Sequence, residues 1–162
     1  MEDTPQLSYA AYFDHPLKRG MVRTIERLSG QPYLQRLFET YRASLTDEPF
    51  FAAASKLLNL DVVFSSQRLA QIPATGPLVI VANHPFGVLD GLLISWLVSL
   101  RRQDFKVLTN AVLDGAPEAR EWLLPIDFAN TKEARATNIK TRAESLERLK
   151  NGECIIVFPA GG

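Results

Sequence analysis

Two short, uninterrupted apolar runs limit most strongly what this chain can fold into. They occupy residues 78–82 and 154–158. A run of this length is too short for a stable helix and is typical of a strand that is buried on both faces. Strands of that kind occur in parallel sheets with helices on both sides, so the sequence predicts an α/β fold.

The segments around these runs alternate between helical and extended patterns. A helix that is apolar nearly all round is predicted over residues 88–100, and an amphipathic helix is predicted over residues 131–150 with Ile139, Leu146 and Leu149 facing the core. Further strands are predicted at residues 62–64, 105–108 and 123–128. This alternation indicates a largely parallel central sheet flanked by helices.

The first part of the chain has a different pattern. Residues 1–58 are predicted to be an amino-terminal helical segment that precedes an α/β domain over residues 59–162. Its apolar side chains lie beside basic residues, an arrangement that suits a helix lying in a membrane interface. Packing of the same stripe against the sheet is the alternative, and it is the usual role of an amphipathic helix. The apolar residues are Tyr33, Leu34, Leu37, Phe38, Phe50 and Phe51.

Charge and composition exclude some functions. Eighteen basic residues balance eighteen acidic ones, whereas nucleic-acid binding usually needs a basic excess. The longest apolar stretch, residues 88–100, is shorter than the roughly 20 residues that span a bilayer, so any membrane contact is expected to be peripheral. The single cysteine, Cys154, lies in an apolar run and is predicted to be a buried, inert thiol, which fits a reducing compartment.

A histidine and an aspartate lie on either side of a Pro/Gly turn that follows the first buried run. The residues are His84 and Asp90, with Pro85 and Gly87 between them. Ligands of parallel sheets collect at the carboxyl ends of the strands. A carboxylate that accepts a hydrogen bond from one imidazole nitrogen makes the other nitrogen an oriented general base. The alternative is that Asp90 caps the helix and that His84 is an ordinary turn residue.

Three segments of the chain, in this order, resemble the motifs of a known enzyme family. Asn83-His84 followed by Asp90 is similar to the first motif of the glycerolipid and lysophospholipid acyltransferases. Residues 124–128 stand where the second motif would fall. The third motif resembles Phe158-Pro159-Ala160-Gly161. The first motif has five residues between His84 and Asp90, as in the branch called hemolysin-like or lyso-ornithine-lipid acyltransferases.

The resemblance implies an O-acyltransferase of membrane lipid biosynthesis. His84 would be the general base and Asp90 would orient it, while the acyl donor would be a thioester of acyl carrier protein or coenzyme A and the acceptor a lyso-lipid hydroxyl. No bound cofactor and no metal are implied. The enzyme would lie peripherally on the cytoplasmic face of the membrane. The residues implied in substrate binding are Asn83, Phe158, Pro159 and Gly161.

Two departures from the family pattern affect these expectations. Ala160 stands where the family has a glutamate, which favours a lyso-lipid over glycerol-3-phosphate as acceptor. The second motif's arginine has no clear counterpart; Arg135 and Arg142 are the nearest candidates, and helix-surface charge is their alternative.

Two other functions are compatible with the same residues. A metal-dependent hydrolase could use His84 and Asp90 as ligands, although such a site needs about three or four. A non-catalytic lipid-binding module could keep the fold without the reaction.

Because the chain stops at Gly162 directly after an apolar strand, we expect the sheet to be incomplete there, and residues 1–162 alone to be inactive and prone to self-association.

Overall fold

The computed structural model describes residues 40, 50–110 and 119–159 of the chain. In these residues, helices and strands alternate as the sequence pattern predicted. The elements in chain order are α1 (Phe50–Leu57), α2 (Ser66–Leu69), β1 (Leu78–Val81), α3 (Val88–Ser99), β2 (Phe105–Asn110), a 3-10 turn (Arg120–Trp122), β3 (Leu123–Ile126), α4 (Lys132–Lys150) and β4 (Cys154–Val157).

The four described strands form one open, all-parallel sheet in the order β1-β4-β2-β3. The connection from β1 to β2 passes over β4 in one direction along the sheet, and the connection from β3 back to β4 passes over β2 in the other. Right-handed crossovers that run in opposite directions place their helices on opposite faces. The α/β fold with a parallel central sheet flanked by helices is therefore confirmed.

One face of the sheet carries the core shared with α1 and α3. On this face Phe105 of β2 stacks on Trp122 with ring centroids 4.8 Å apart, and Phe51 of α1 contacts both rings at 5.7 Å. Phe50 and Phe51 are both buried, so packing against the sheet is the correct interpretation for these two residues. The other apolar residues of the amino-terminal stripe, Tyr33 to Phe38, lie outside the described residues.

The strand predicted at residues 62–64 is wrong. This segment has no regular structure, and Val63 is 92% exposed. Phe64 in this segment contacts α3, where its ring meets Trp96 edge-on with centroids 5.8 Å apart. A high β propensity reflects how well a side chain fits a half-buried pleated surface, and Val63 has no such surface beneath it.

The orientation predicted for α4 is also wrong, although the helix itself is confirmed. Ile139 is 71% exposed and Leu146 is 48% exposed, while Leu149 is half-buried. The buried residues of α4 are Ala134, Thr141 and Ser145. Small side chains let the helix approach the sheet closely, so the inward face of α4 cannot be recognised from large apolar residues.

Hydrogen bonds explain why a polar face of α4 turns inward. The amide of Asn138 brackets the main chain of Asp127, accepting from its N–H at 2.9 Å and donating to its carbonyl at 2.8 Å. The Thr141 hydroxyl donates to the carbonyl of Pro125 at 2.6 Å. Pro125 is tolerated in β3 because β3 is an edge strand of the described sheet. These bonds fix α4 beside the carboxyl end of β3.

A buried arginine ties three strands together at the amino end of the sheet. The Arg102 side chain is 1% exposed and forms a two-bond ion pair with Asp104, with both N–O distances at 2.7 Å. It also donates to the carbonyls of Pro73 and Gly76 before β1, and of Gly152 before β4, at 2.9 to 3.2 Å. The hydrogen bonds from Arg102 hold the pKa of Asp104 below its ordinary value.

We expect Arg102→Met to destabilise the fold by about 2–4 kcal/mol, because it leaves three carbonyls and a carboxylate without their donor. Urea denaturation measures this loss directly. Arg101→Met is the matched control: Arg101 is exposed and bonds only weakly to Ala70, at 3.4 Å, so less than about 0.5 kcal/mol should be lost. Equal losses in the two variants would contradict this role for Arg102.

The ion pair also predicts how stability changes with acid. Because the folded-state pKa of Asp104 is lowered, its carboxylate contributes stability at neutral pH, and this contribution disappears as the pH falls below about 4 and through the lowered pKa. The difference in unfolding free energy between the wild type and Asp104→Asn should therefore be largest near pH 7 and shrink towards pH 2. A difference that stays constant over this range would contradict the linkage.

Candidate active site

The carboxyl ends of β1 and β4 bring two distant parts of the sequence together. The strands pair in parallel with Val81 opposite Val157, and the N–H of Ala82 extends the ladder by donating to the Val157 carbonyl at 3.2 Å. His84 comes shortly after the end of β1, and Phe158 directly follows the end of β4. The edge at which the sequence predicted a site is therefore where these two side chains meet.

A tight turn then leads from His84 into α3. The N–H of Gly87 donates to the His84 carbonyl at 3.4 Å, and Gly87 is the N-cap residue of the helix. Its φ is +62°, a region that residues with a side chain rarely adopt. The glycine lets the chain reverse within a few residues, so that Asp90, in the first turn of α3, faces back towards His84.

The turn places the Asp90 carboxylate beside the His84 imidazole. Oδ2 of Asp90 is 3.8 Å from Nδ1 of His84, which is too long for a hydrogen bond. Nδ1 is buried and has no hydrogen-bond partner among the described residues. Oδ2 instead accepts the N–H of Phe86 at 2.7 Å. The same carboxylate therefore holds the turn before α3 through Phe86 and faces the histidine without a hydrogen bond to it.

The other face of the site is aromatic. The rings of His84 and Phe158 lie with their centroids 4.6 Å apart and their planes inclined by 32°. The side chains of His84 and Asp90 are 26% and 17% exposed, so the pair is only partly open to solvent. The sequence analysis did not predict the contact between His84 and Phe158. The signal for it was the pairing of two buried runs, because residues that directly follow neighbouring parallel strands must lie close together.

The remaining sequence-predicted residues divide into four groups. Asn83 and Pro159 are exposed beside His84 and Phe158 in the chain, whereas Ala160 and Gly161 lie outside the described residues. Arg135 and Arg142 are exposed on α4, as helix-surface charges would be. Cys154 is free and buried, and burial raises its pKa, so the prediction of a buried thiol is confirmed.

Two kinds of feature are absent from the described residues. No group of three or more His, Cys, Asp or Glu side chains in this part of the chain is arranged to hold a metal ion. Within the same residues, no helix combines the length and apolar character that crossing a membrane requires.

Comparison with known proteins gives one match. A family model described as an acyltransferase matches residues 10–162, which is nearly the whole chain and includes His84, Asp90 and Phe158. No curated protein and no solved structure matches the chain. The description of the family names acyl transfer but no donor and no acceptor.

Proposed function

Since the chain belongs to this acyltransferase family, we propose that it moves a fatty acyl group from a thioester to the hydroxyl of a lyso-lipid, with His84 as general base. The observation that carries the proposal is the buried, unpartnered Nδ1 of His84 facing the Asp90 carboxylate at 3.8 Å. A buried nitrogen without a partner is costly, and a role in catalysis is one explanation for keeping it. The Asp90 carboxylate, 3.8 Å away, is able to become its partner.

The pair supports a definite protonation scheme. A carboxylate beside Nδ1 favours the neutral tautomer that carries its proton on that nitrogen, which leaves the lone pair of Nε2 free to accept a proton. When Nε2 is protonated, the positive charge of the imidazolium attracts Asp90. The distance of 3.8 Å then has to shorten by about 1 Å to make a hydrogen bond, and such bonds commonly tighten only in the reacting complex.

The reaction then needs no covalent enzyme intermediate. Nε2 of His84 takes the proton of the acceptor hydroxyl as its oxygen forms a bond to the carbonyl carbon of the thioester. The carbon–sulfur bond breaks, and the leaving thiolate receives the proton back from Nε2. Asp90 stabilises the imidazolium between these steps. The donor is a thioester of acyl carrier protein or of coenzyme A.

The surroundings of the site support a lipid substrate. Phe86, in the turn after His84, is 74% exposed, and Val81, at the end of β1, is 62% exposed. Large apolar side chains that stay exposed beside polar reactive groups suit an amphipathic substrate, whose apolar part needs a surface to lie on. We propose that these residues face the acyl chains of the substrates, and that the enzyme works peripherally at the cytoplasmic face of a membrane.

We expect His84→Ala to lower turnover by about 10³-fold or more, because it removes the proposed acceptor of the hydroxyl proton. Asp90→Asn should also be severely impaired through loss of tautomer control. Transfer of a labelled acyl group to lipid, measured with full-length protein, tests both variants. Near-normal turnover by a folded His84→Ala variant would refute the mechanism.

Glu133→Gln is the matched control for Asp90→Asn, since Glu133 is also a carboxylate in the first turn of a helix but belongs to α4. It should keep full turnover. Lipid binding by the wild type that is unaffected by His84→Ala, together with an absence of transfer, would favour the non-catalytic lipid-binding module instead.

We expect the acceptor to be a lyso-lipid rather than glycerol-3-phosphate, because Ala160 replaces the glutamate of the resembled family. Parallel assays with one acyl donor and either lyso-lipids or glycerol-3-phosphate, analysed by mass spectrometry, decide between the two. The His84→Ala protein serves as the blank. Acylation of glycerol-3-phosphate with none of any lyso-lipid would contradict this assignment.

A further inference from the structure

We infer that Phe158 is a positioning residue that fixes the plane of the His84 imidazole, and this inference rests on the proposed role of His84 as general base. Phe158 belongs to the segment that resembles the family's third motif, for which substrate binding was expected. Its ring lies against His84, with centroids 4.6 Å apart and planes inclined by 32°. The contact is with the catalytic side chain itself, so its effect reaches the substrate through His84.

The imidazole needs such a contact because Nδ1 makes no hydrogen bond that would fix the plane of the ring. Rotation of a histidine ring about its Cβ–Cγ bond is only loosely restricted by the bond itself. A hydrogen bond to Asp90 would restrict it, but Nδ1 is 3.8 Å from Oδ2, and that oxygen accepts the N–H of Phe86. The tilted contact with Phe158 is therefore the ring contact that sets the plane before the reacting complex forms.

A neighbouring phenyl ring suits this task because it forms no hydrogen bond and leaves both imidazole nitrogens free. Phe158 lies against the face of the imidazole, whereas Nδ1 and Nε2 point outward in its plane. Rotation about Cβ–Cγ would drive the edge of the imidazole into the phenyl ring. With Nδ1 kept towards Asp90, Nε2 is kept towards the opposite side, where the acceptor hydroxyl has to arrive.

Phe158 can orient another side chain because its own backbone is held. It directly follows β4, and the carbonyl of Val157 accepts the N–H of Ala82 from β1. Pro159 follows and disfavours helical backbone angles at Phe158, which favours an extended backbone there.

The first test separates positioning from substrate binding. We expect Phe158→Leu to lower kcat about ten- to a hundredfold, the scale on which small misplacements of a reacting group act, with KM nearly unchanged. Phe158→Tyr keeps the ring and should keep most of kcat. Phe158→Met, which has a similar volume without a ring, should behave as Phe158→Leu and replaces it if that variant does not fold. A raised KM at normal kcat would overturn the inference and assign Phe158 to substrate binding.

Phe64→Leu is the control, since it replaces another phenylalanine that packs on an aromatic ring, here edge-on against Trp96 of α3. It should leave kcat and KM unchanged. An equal loss of kcat in Phe64→Leu and Phe158→Leu would overturn the inference, because both would then act through general stability.

The second test needs no turnover. The chain has two histidines, His15 and His84, so the ring protons of His84 can be assigned by NMR from their absence in His84→Ala. In the wild type they should be shifted upfield by the phenyl ring, and the shift should disappear in Phe158→Leu. Unshifted His84 protons in the wild type would overturn the inference.

The two tests also separate this inference from the proposed function. If His84→Ala is inactive while Phe158→Leu keeps its full kcat, only the role of Phe158 is wrong. If His84→Ala retains turnover, the proposed base is wrong whatever the NMR spectra show.

Discussion

The pairing of β1 with β4 is the constraint on which the rest of the described structure depends. The two strands come from residues more than seventy positions apart, and they run side by side over four paired positions. At their carboxyl ends this pairing puts His84 next to Phe158. At their amino ends it brings the turn at Gly76 against the turn at Gly152, where a Cβ on Gly152 would lie 3.7 Å from the Gly76 Cα.

The two ends of the sheet differ in whether their buried polar groups have hydrogen-bond partners. At the amino end Arg102 is fully surrounded, and its donors are matched by carbonyls and by Asp104. At the carboxyl end Nδ1 of His84 is buried without a partner, and Phe86 is exposed. Local rules that stabilise a fold are commonly broken at sites of function. The contrast agrees with a stabilising role for the amino end of the sheet and with the proposed reaction at its carboxyl end.

The sequence was sufficient where a pattern depends on only one element. The apolar runs predicted β1 and β4, and the Pro/Gly turn predicted that His84 and Asp90 would meet. The sequence did not predict features that depend on how neighbouring elements pack. Ile139 is exposed because α4 approaches the sheet with small side chains and hydrogen bonds, and Val63 lacks a surface on which a strand could lie. The contact of Phe158 with His84 depends on strand order, which periodicity does not contain.

The carboxylate of Asp90 serves two unrelated purposes through its position in the first turn of α3. It accepts the N–H of Phe86, which orders the turn, and it faces the imidazole of His84. In a library of variants scored only by survival, Asp90 would appear intolerant of change for both reasons at once, and such a score could not separate them. Phe158 contacts the imidazole, so substitutions there test the proposed orientation of His84 without removing the carboxylate that orders the turn.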